Sequence, residues 1–105
     1  MSTVIESRQE LVGRILQIKP QLQAYGVKRL ALFGSFVRGD QHANSDVDLL
    51  VEFAPGRKTY DNFFAVCELL EGSLQRRIEL LTSESLSPHI GPHILQEAED
   101  VVVAD

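Results

Sequence analysis

Apolar residues follow two patterns along the chain, short runs and helical spacing, and each pattern predicts a type of secondary structure. Two short runs rich in Val and Leu, VKRLALF at Val27–Phe33 and VDLLVEF at Val47–Phe53, predict β-strands. Apolar residues at helical spacing predict an amphipathic helix over Val4–Ile18 and a core-packed helix over Tyr60–Leu74. A third short strand is predicted over Ile78–Leu81.

Shorter elements are indicated by residues that start or stop helices. Pro20 suits the first turn of a helix and Gly26 suits its end, so a short helix is predicted over Pro20–Tyr25. A further short helix is predicted over Pro88–Glu97. The run Val101–Val103 predicts a brief terminal strand or a tail.

The order of these elements predicts the topology of one sheet. The connection from Asp40 to Asp46 is too short for a parallel crossover, so the first two strands should be antiparallel. The third strand returns after a helix. We therefore expect an α+β fold in which a small mixed β-sheet of three to four strands is flanked by helices. Residues 1–105 are expected to form a single domain, because no internal repeat or second domain is evident.

Composition and charge narrow the classes of function. The net charge of −5 argues against direct binding of nucleic acid, which usually requires a basic face. No apolar run reaches the roughly 18 residues that cross a bilayer, and the N-terminal residues do not resemble a signal peptide. No contact with a membrane is therefore expected. The single cysteine, Cys67, lies in an apolar stretch and suits a reducing compartment, so we expect a cytoplasmic protein.

Two carboxylates at the start of the second strand are the first candidates for chemistry. Asp46 and Asp48 are two residues apart, so on a strand they project from the same face. Like charges held this close repel each other unless a cation lies between them. Mg²⁺, a hard ion that prefers oxygen ligands, would remove the repulsion.

The end of the first strand carries the second candidate feature. Gly34 lets the backbone turn sharply and approach a ligand closely. Ser35 can cap the short helix that is expected to follow, and its hydroxyl and the nearby backbone N–H groups can bind phosphate. Donors for phosphate and carboxylates for a metal ion are the two requirements of phosphoryl or nucleotidyl transfer.

Each feature also has an ordinary structural explanation. A Gly-Ser turn between two elements is common, and an Asp-Val-Asp pair can be the solvated face of a strand. A calcium loop is weakly indicated by the oxygen-rich residues around Asp46, but the helix–loop–helix pattern and its central glycine are missing. The functional interpretation depends on the conjunction of both features at short spacing.

Histidines and aromatic residues are weaker candidates. His89 and His93 are four residues apart, as in helical metal sites, but they are interpreted as surface histidines. The aromatic residues Tyr60, Phe63 and Phe64 are interpreted as core residues and not as a platform for a base.

The run GSFVRGDQHANSDVDLLVEF resembles the signature of the DNA polymerase β-like nucleotidyltransferase superfamily, in its minimal nucleotidyltransferase (MNT) branch. The resemblance covers nearly the whole chain. It includes the LFGS strand end, the Asp-x-Asp strand, the next helix and a third acidic strand, and it ends in the segment IGPHILQEA at residues 90–98. The implied fold is the polymerase-β-like nucleotidyltransferase core.

The resemblance implies roles for matching residues. Gly34 and Ser35 would hold the β- and γ-phosphates of a nucleoside triphosphate. Asp46 and Asp48 would be catalytic residues that bind two Mg²⁺ ions. Arg38 matches the Arg of the family's Arg-Gly pair, where it would contact phosphate or brace the short helix against the sheet.

One position departs from the family pattern. The third carboxylate of the family is usually an Asp on the next strand, whereas this chain has Glu79 in the run RIELLT. Glu79 keeps the charge and adds one methylene, so it can serve as the third metal-binding and catalytic carboxylate or accept a proton from an attacking hydroxyl. A displacement of about 1 Å in a catalytic group can lower a rate about a hundredfold.

The resemblance implies an enzyme that transfers AMP from ATP, with Mg²⁺, to a hydroxyl acceptor. Many minimal proteins of this family are antitoxins that adenylylate a HEPN-domain ribonuclease toxin, so such a toxin is the expected partner, in a homo- or hetero-oligomer. An alternative is a subunit that neutralises its partner by occlusion, with Glu79 marking lost activity. A third alternative is an acidic ligand-binding module unrelated to nucleotides.

Overall fold

The computed structural model describes residues 8–39, 46–89 and 91–103. These residues contain five α-helices: α1 (Arg8–Gln17), α2 (Lys19–Ala24), α3 (Ser35–Arg38), α4 (Tyr60–Leu74) and α5 (Gly91–Glu97). They also contain four strands: β1 (Val27–Phe33), β2 (Val47–Phe53), β3 (Ile78–Thr82) and β4 (Glu99–Val103). A 3-10 turn follows β3 at Ser83–Ser85.

The four strands form one mixed sheet in the order β3-β2-β1-β4. Strand β1 is antiparallel to both of its neighbours, β2 and β4, and its pairing with β2 is the one expected from their short connection. Strand β3 is parallel to β2, and α4 makes the long crossover that a parallel pair requires. The predicted α+β fold with a small mixed sheet flanked by helices is confirmed.

Most element bounds follow the hydrophobic pattern. The observed bounds of β1, β2 and α4 are those predicted, and β3 extends one residue further, to Thr82. The terminal run is a strand rather than a tail, and it begins at Glu99, where it pairs with Leu32 of β1. The part of the first predicted helix before residue 8 lies outside the described residues.

The last helix is shorter than predicted. It begins at Gly91 and not at Pro88, because Pro92 lacks an N–H and suits only the first turn of a helix. The N–H of Gly91 donates to the carbonyl of Ser87 at 2.7 Å, which closes a turn ahead of the helix. Helix α5 is therefore a short segment that delivers Glu97 to the beginning of β4.

The sheet separates two apolar clusters of unequal size. The main core lies between one face and the helices, and it includes Leu11 and Ile15 of α1 and Leu70 of α4, all fully buried. The other face carries a small cluster of Ala31, Phe33 and Leu50, packed against partly buried residues that include Ile94 of α5. Because alternate residues share a face, Asp48 lies on the same face as Leu50, beside the thinner cover.

Helix α4 has a defined beginning and end, which fix the crossover to β3. The hydroxyl of Thr59 accepts from the N–H of Asn62 at 3.1 Å, an N-cap worth about 1 kcal/mol. The helix ends where Gln75 adopts a left-handed conformation at φ 55°, and its N–H donates to the carbonyl of Glu71. The side chain of Gln75 also donates to the carbonyl of Gly72.

Across residues 8–39, 46–89 and 91–103, every helix is too short or too polar to traverse a lipid bilayer.

Candidate functional site

The turn after β1 is built around a glycine that no other residue can replace without strain. Gly34 has φ 80° and ψ −151°, a conformation that side chains rarely adopt. A Cβ atom at this position would lie 2.1 Å from Oδ2 of Asp48. The missing side chain therefore allows the backbone to contact the Asp48 carboxylate directly. Helix α3 starts at the next residue, Ser35, and ends after one turn at Gly39.

Two of the predicted carboxylates lie side by side across neighbouring strands. Asp48 of β2 is directly opposite Glu79 of parallel β3, and on its other side it is opposite Phe33 of β1. The two side chains interact closely enough for Glu79 to raise the pKa of Asp48. The register therefore brings Glu79, the residue that departs from the family pattern, directly beside Asp48.

Asp46 lies immediately before β2 and faces a different neighbour. Its Oδ1 is 3.3 Å from Nε of Arg77, the residue that precedes β3. The Asp46 side chain is 44% exposed and that of Arg77 is 83% exposed, so the pair is well hydrated. Asp46 and Asp48 thus lie at the same end of the sheet, but they have different partners.

The environment of Asp48 disfavours its charge. Burial, the hydrogen bond to Glu79 and the negative charges of Glu79 and Asp46 raise the pKa of Asp48 from its ordinary 3.8 to about 6, while the charge of Arg38 acts in the opposite direction. Two adjacent carboxylates in a half-buried position are stabilised by a shared proton or by a cation. The repulsion by Asp46 that the Asp-x-Asp pattern predicts contributes to this raised pKa, but burial and Glu79 contribute more.

Glu97 is a functional candidate that the sequence interpretation missed. Its Oε2 accepts from the backbone N–H of Gly34 at 2.9 Å, and its Oε1 accepts from Nη1 of Arg38 at 2.9 Å. The segment that contains Glu97 carried part of the family resemblance, but the residue was not singled out. The sequence feature that could have indicated Glu97 is its position just before the last strand. The pairing of β4 with β1 brings Glu97 to the Gly34 turn.

A cleft of about 510 Å³ contains most of these groups. It brings together four of the predicted site residues, and it adds four others; the lining residues are Phe33, Gly34, Arg38, Asp48, Glu79, His93, Ile94 and Glu97. Ser35 and Asp46 are not among them and lie beside the cleft. His93 is exposed, as predicted, but it belongs to this cleft.

The carboxylates in and beside the cleft are candidate ligands for Mg²⁺. In the described ranges no three acidic, His or Cys side chains are grouped closely enough to form a complete metal site, because Asp46 faces Arg77 while Asp48 and Glu79 pair with each other. The donor set nevertheless fits the ion. It consists of carboxylate oxygens, and a divalent cation would stabilise the Asp48 charge against the burial and the repulsion that raise its pKa.

A second cleft, of about 650 Å³, lies along the outer side of α4. The interpretation of the aromatic residues as core is right for Phe63, which packs against the main core, and wrong for Tyr60 and Phe64, which are 76% and 49% exposed. The rings of Tyr60 and Phe64 meet edge to face at 4.7 Å. The charged residues that line this cleft, Asp61 and Glu68, offer no donor for phosphate.

Residues 12–101 match the family model of the nucleotidyltransferase domain. The chain belongs to the nucleotidyltransferase domain family. The match spans the turn at Gly34, the carboxylates of β2 and β3, and Glu97, so the whole cleft lies within the domain that defines the family.

Relatives of this nucleotidyltransferase carry names for one type of transfer. The chain is 41% identical over 86 residues to a candidate protein adenylyltransferase of Methanocaldococcus jannaschii, which covers 82% of this chain and 91% of the relative. It is 36% identical over 75 residues to the protein adenylyltransferase MntA of Thermococcus cleftensis, with 71% and 75% of the two chains covered. The predicted nucleotidyltransferase is confirmed at the level of the family.

Solved structures share the fold. A candidate minimal nucleotidyltransferase superposes with a TM-score of 0.78 at 31% identity, over 90% of this chain and 95% of that chain. A chain from the complex of a tri-AMPylated Shewanella oneidensis HEPN toxin with an MNT antitoxin superposes with a TM-score of 0.65 at 15% identity, over 92% and 73% of the two chains. The predicted minimal-nucleotidyltransferase fold is confirmed, whereas the single-domain organisation and the roles of individual residues stay predictions.

Proposed function

We propose that this nucleotidyltransferase transfers AMP from ATP, with Mg²⁺, to a hydroxyl group on a partner protein in the cytoplasm. The observation that carries the proposal is the pairing of Asp48 with Glu79 beside the Gly34 turn. This arrangement places carboxylates for cations next to a backbone turn of the kind that binds phosphate. Both the family and the names of its relatives support the same type of reaction.

The carboxylates are the metal-binding part of the proposed site. Asp46, Asp48 and Glu79 would hold one or two Mg²⁺ ions, with Asp46 exchanging its contact with Arg77 for a metal ion. Bound Mg²⁺ would neutralise charge on the triphosphate and favour an in-line orientation of the reacting groups.

The nucleotide-binding part is the turn that follows β1. Ser35 would donate its hydroxyl to the β- and γ-phosphates, and Gly34 would let these phosphates approach the backbone. Arg38, whose charge already acts on Asp48, would add a positive charge at the same side of the cleft. Adenine as the base is part of the proposal and follows from the adenylyltransferase names of the relatives.

The proposed transfer forms one bond and breaks one bond. The acceptor hydroxyl oxygen attacks the α-phosphorus of ATP, and the bond between this phosphorus and the β-phosphate oxygen breaks to release pyrophosphate. The hydroxyl proton passes to a carboxylate, for which exposed Glu79 is in position at the edge of the cleft. The product is an AMP phosphodiester on the acceptor.

A HEPN-domain ribonuclease toxin is the proposed acceptor, and this chain is its antitoxin. Support comes from the shared fold with a chain from the complex of a tri-AMPylated HEPN toxin with an MNT antitoxin. In that complex the toxin carries the AMP groups. A hydroxyl on a partner protein is therefore a chemically suitable acceptor for this fold.

The test combines the purified protein with ATP labelled in the α-phosphate, Mg²⁺ and the protein encoded by the adjacent gene. Label should pass to the partner, and addition of EDTA should stop the transfer. The Asp48→Asn variant should transfer at least a hundredfold less, because it removes one of the paired carboxylates. Absence of transfer by the wild-type protein at all Mg²⁺ concentrations would exclude the proposed activity.

Neutralisation by occlusion is the second candidate function. It is favoured by the separation of Asp46 from the pair formed by Asp48 and Glu79, which leaves no ready three-carboxylate site in the described residues. The discriminating variant is the double substitution Asp46→Asn and Asp48→Asn. If this variant still binds and neutralises the partner, occlusion is the mechanism. If it binds but no longer neutralises, catalysis is required.

A further inference from the structure

Glu97 connects two parts of the cleft that come from distant parts of the sequence. Its two carboxylate oxygens accept from Gly34 N–H, 63 residues away, and from the Arg38 guanidinium, 59 residues away, both at 2.9 Å. One side chain at the end of α5 thus holds the beginning and the end of the one-turn helix α3. No role for Glu97 follows from the carboxylate pattern of β2 and β3.

The two contacts are partly shielded from solvent on the Glu97 side. The Glu97 side chain is only 25% exposed, whereas that of Arg38 is 54% exposed. Hydrogen bonds to a charged group in a partly shielded position are shorter and stronger than neutral ones. The carboxylate also satisfies a backbone N–H that β1 does not use, so its removal would leave that donor without this acceptor.

The contact with Gly34 controls the geometry next to Asp48. The N–H of Gly34 belongs to the peptide plane that leads from β1 into the turn, so its acceptor fixes the orientation of that plane. The turn is already so close to Asp48 that a Cβ atom would lie 2.1 Å from Oδ2. A small rotation of the peptide would therefore change the position of the turn relative to the Asp48 carboxylate.

The contact with Arg38 controls the positive charge of the cleft. Arg38 is on a helix of only four residues, which by itself gives little restraint to a long side chain. Its guanidinium acts on Asp48 against the effects of the neighbouring carboxylates. The Glu97 carboxylate, a fixed acceptor for Arg38, helps to keep this charge beside the reacting groups.

We propose that Glu97 is a positioning residue for nucleotidyl transfer, which holds the Gly34 turn and Arg38 in the arrangement that the triphosphate requires. The inference rests on the proposed function. Glu97 acts through these two residues and does not touch the reacting atoms. Since the N–H of Gly34 is engaged by Glu97, the phosphates rely on other donors, foremost the Ser35 hydroxyl.

The competing explanation makes Glu97 an obstacle. The Glu97 carboxylate occupies two hydrogen-bond donors of the cleft, the Gly34 N–H and the Arg38 guanidinium. A phosphate of ATP that used the same donors would have to displace the carboxylate, so Glu97 would weaken the binding of ATP. The two explanations predict opposite changes on removal of the carboxylate. A positioning residue gives slower transfer and weaker nucleotide binding, whereas a competitor gives tighter binding.

The experiment compares Glu97→Ala and Glu97→Gln with the wild-type protein. Glu97→Ala should lower kcat about 10- to 100-fold, because misplacement by about 1 Å has effects of this size. Glu97→Gln keeps an oxygen for the Gly34 N–H and should recover part of the loss. The control is Glu99→Gln, which changes an acidic residue two positions away that pairs with Arg8 and should leave kcat unchanged.

A double-mutant cycle with Arg38→Ala separates positioning from a general structural effect. If Glu97 acts through Arg38, the Arg38→Ala, Glu97→Ala protein should lose little more activity than the poorer single variant. Losses that multiply, or a loss of kcat explained by a lower Tm in both Glu97 variants, would overturn the inference.

Nucleotide affinity distinguishes this inference from the proposed function. The Kd of a non-hydrolysable ATP analogue is measured with Mg²⁺ in the absence of any partner, so this measurement does not depend on transfer. If the wild-type protein transfers no AMP, the proposed function fails, and the affinity alone decides the role of Glu97. A Kd raised severalfold by Glu97→Ala supports positioning, and an unchanged or lower Kd overturns it.

Discussion

Asp48 and Glu79 are directly opposite each other on the parallel strands β2 and β3, and burial together with the neighbouring Glu79 raises the pKa of Asp48 to about 6. A raised pKa means that Asp48 holds a proton more tightly than an ordinary carboxyl group does. The same two side chains are the candidates for binding Mg²⁺. Protonation and cation binding should therefore compete at this pair, and both should alter the stability of the fold.

The first prediction concerns the pH dependence of stability without metal. The pKa of Asp48 is about 6 in the folded protein and 3.8 ordinarily, so the folded state binds this proton more tightly than the unfolded state. The stabilising contribution is fully present below about pH 4 and is lost as the pH rises through about 6. After allowance for solvent screening, we expect a loss of about 1 kcal/mol between pH 4 and pH 7.

Urea unfolding in EDTA at several pH values between 4.5 and 7.5 measures this effect. Other groups also titrate in this range, so the comparison is made with Asp48→Asn, which keeps the shape but cannot ionise. The difference in the free energy of unfolding between the two proteins should change with pH as described. If the two proteins have parallel pH profiles, the Asp48–Glu79 pair does not carry the effect.

The second prediction concerns the contact between Gly34 and Asp48. Gly34→Ala combines a backbone conformation that is essentially restricted to glycine, which costs about 1–3 kcal/mol, with an overlap in a packed position, which costs about 1–3 kcal/mol. The free energy of unfolding should fall by about 3 kcal/mol, and transfer should be lost because Asp48 must move.

Gly39 offers a matched control for this substitution. Its φ of 82° is close to that of Gly34, but its ψ of 13° places it in the left-handed helical region, and a Cβ there would meet no atom within 4 Å. Gly39→Ala should therefore cost only the backbone strain, about 1–2 kcal/mol, and transfer should persist. Equal losses of stability in the two variants would show that the approach to Asp48 is not the reason for glycine at position 34.

The strands that carry this site could be predicted from the sequence because their signal is local. The runs Val27–Phe33 and Val47–Phe53 are rich in Val and Leu and are bounded by turn residues, and the structure has the same bounds. The antiparallel pairing of β1 with β2 followed from the length of the connection alone.

Other features depend on tertiary contacts that no local pattern reports. The role of Glu97 depends on donors 63 and 59 residues away, which the pairing of β4 with β1 brings near. The contact of Asp46 with Arg77 depends on the parallel register of β2 and β3. Residue type and spacing identified the carboxylates, but the partners of each carboxylate follow from the packing of the strands.

The third prediction concerns the departure from the family pattern at Glu79. Glu79→Gln removes the negative charge beside Asp48 and should lower the transfer rate at least a hundredfold. Glu79→Asp restores the usual residue of the family and should keep more of the rate than Glu79→Gln, since the charge is retained on the same strand face.

The control for Glu79 is Glu52→Gln, which neutralises an acidic residue at the other end of β2 that pairs with Lys28. This variant should transfer AMP at the wild-type rate. Wild-type activity of Glu79→Gln would exclude Glu79 from the catalytic carboxylates and leave Asp46 and Asp48 as the only strand carboxylates of the proposed site.

The last prediction concerns the competition between Arg77 and a metal ion for Asp46. Nε of Arg77 lies 3.3 Å from Oδ1 of Asp46, so a divalent ion that binds Asp46 must displace or share this contact. Exposed ion pairs of this kind contribute about 0.2–1 kcal/mol, which corresponds to a change of up to about fivefold in a binding constant. Arg77→Ala should therefore lower the Kd for Mg²⁺ by up to about fivefold.

Mg²⁺ affinity is measured on the nucleotide-free protein, so that a contact of Arg77 with ATP does not affect the result. The matched control is Arg76→Ala, because Arg76 carries the same charge but lies over the ring of Phe36, 5.1 Å from its centroid. Only the loss of Arg77 removes the direct partner of Asp46, so Arg76→Ala should change the Kd less. If both substitutions lower the Kd for Mg²⁺ equally, the ion responds to the total positive charge of the turn before β3. The contact between Arg77 and Asp46 then does not compete with Mg²⁺ binding.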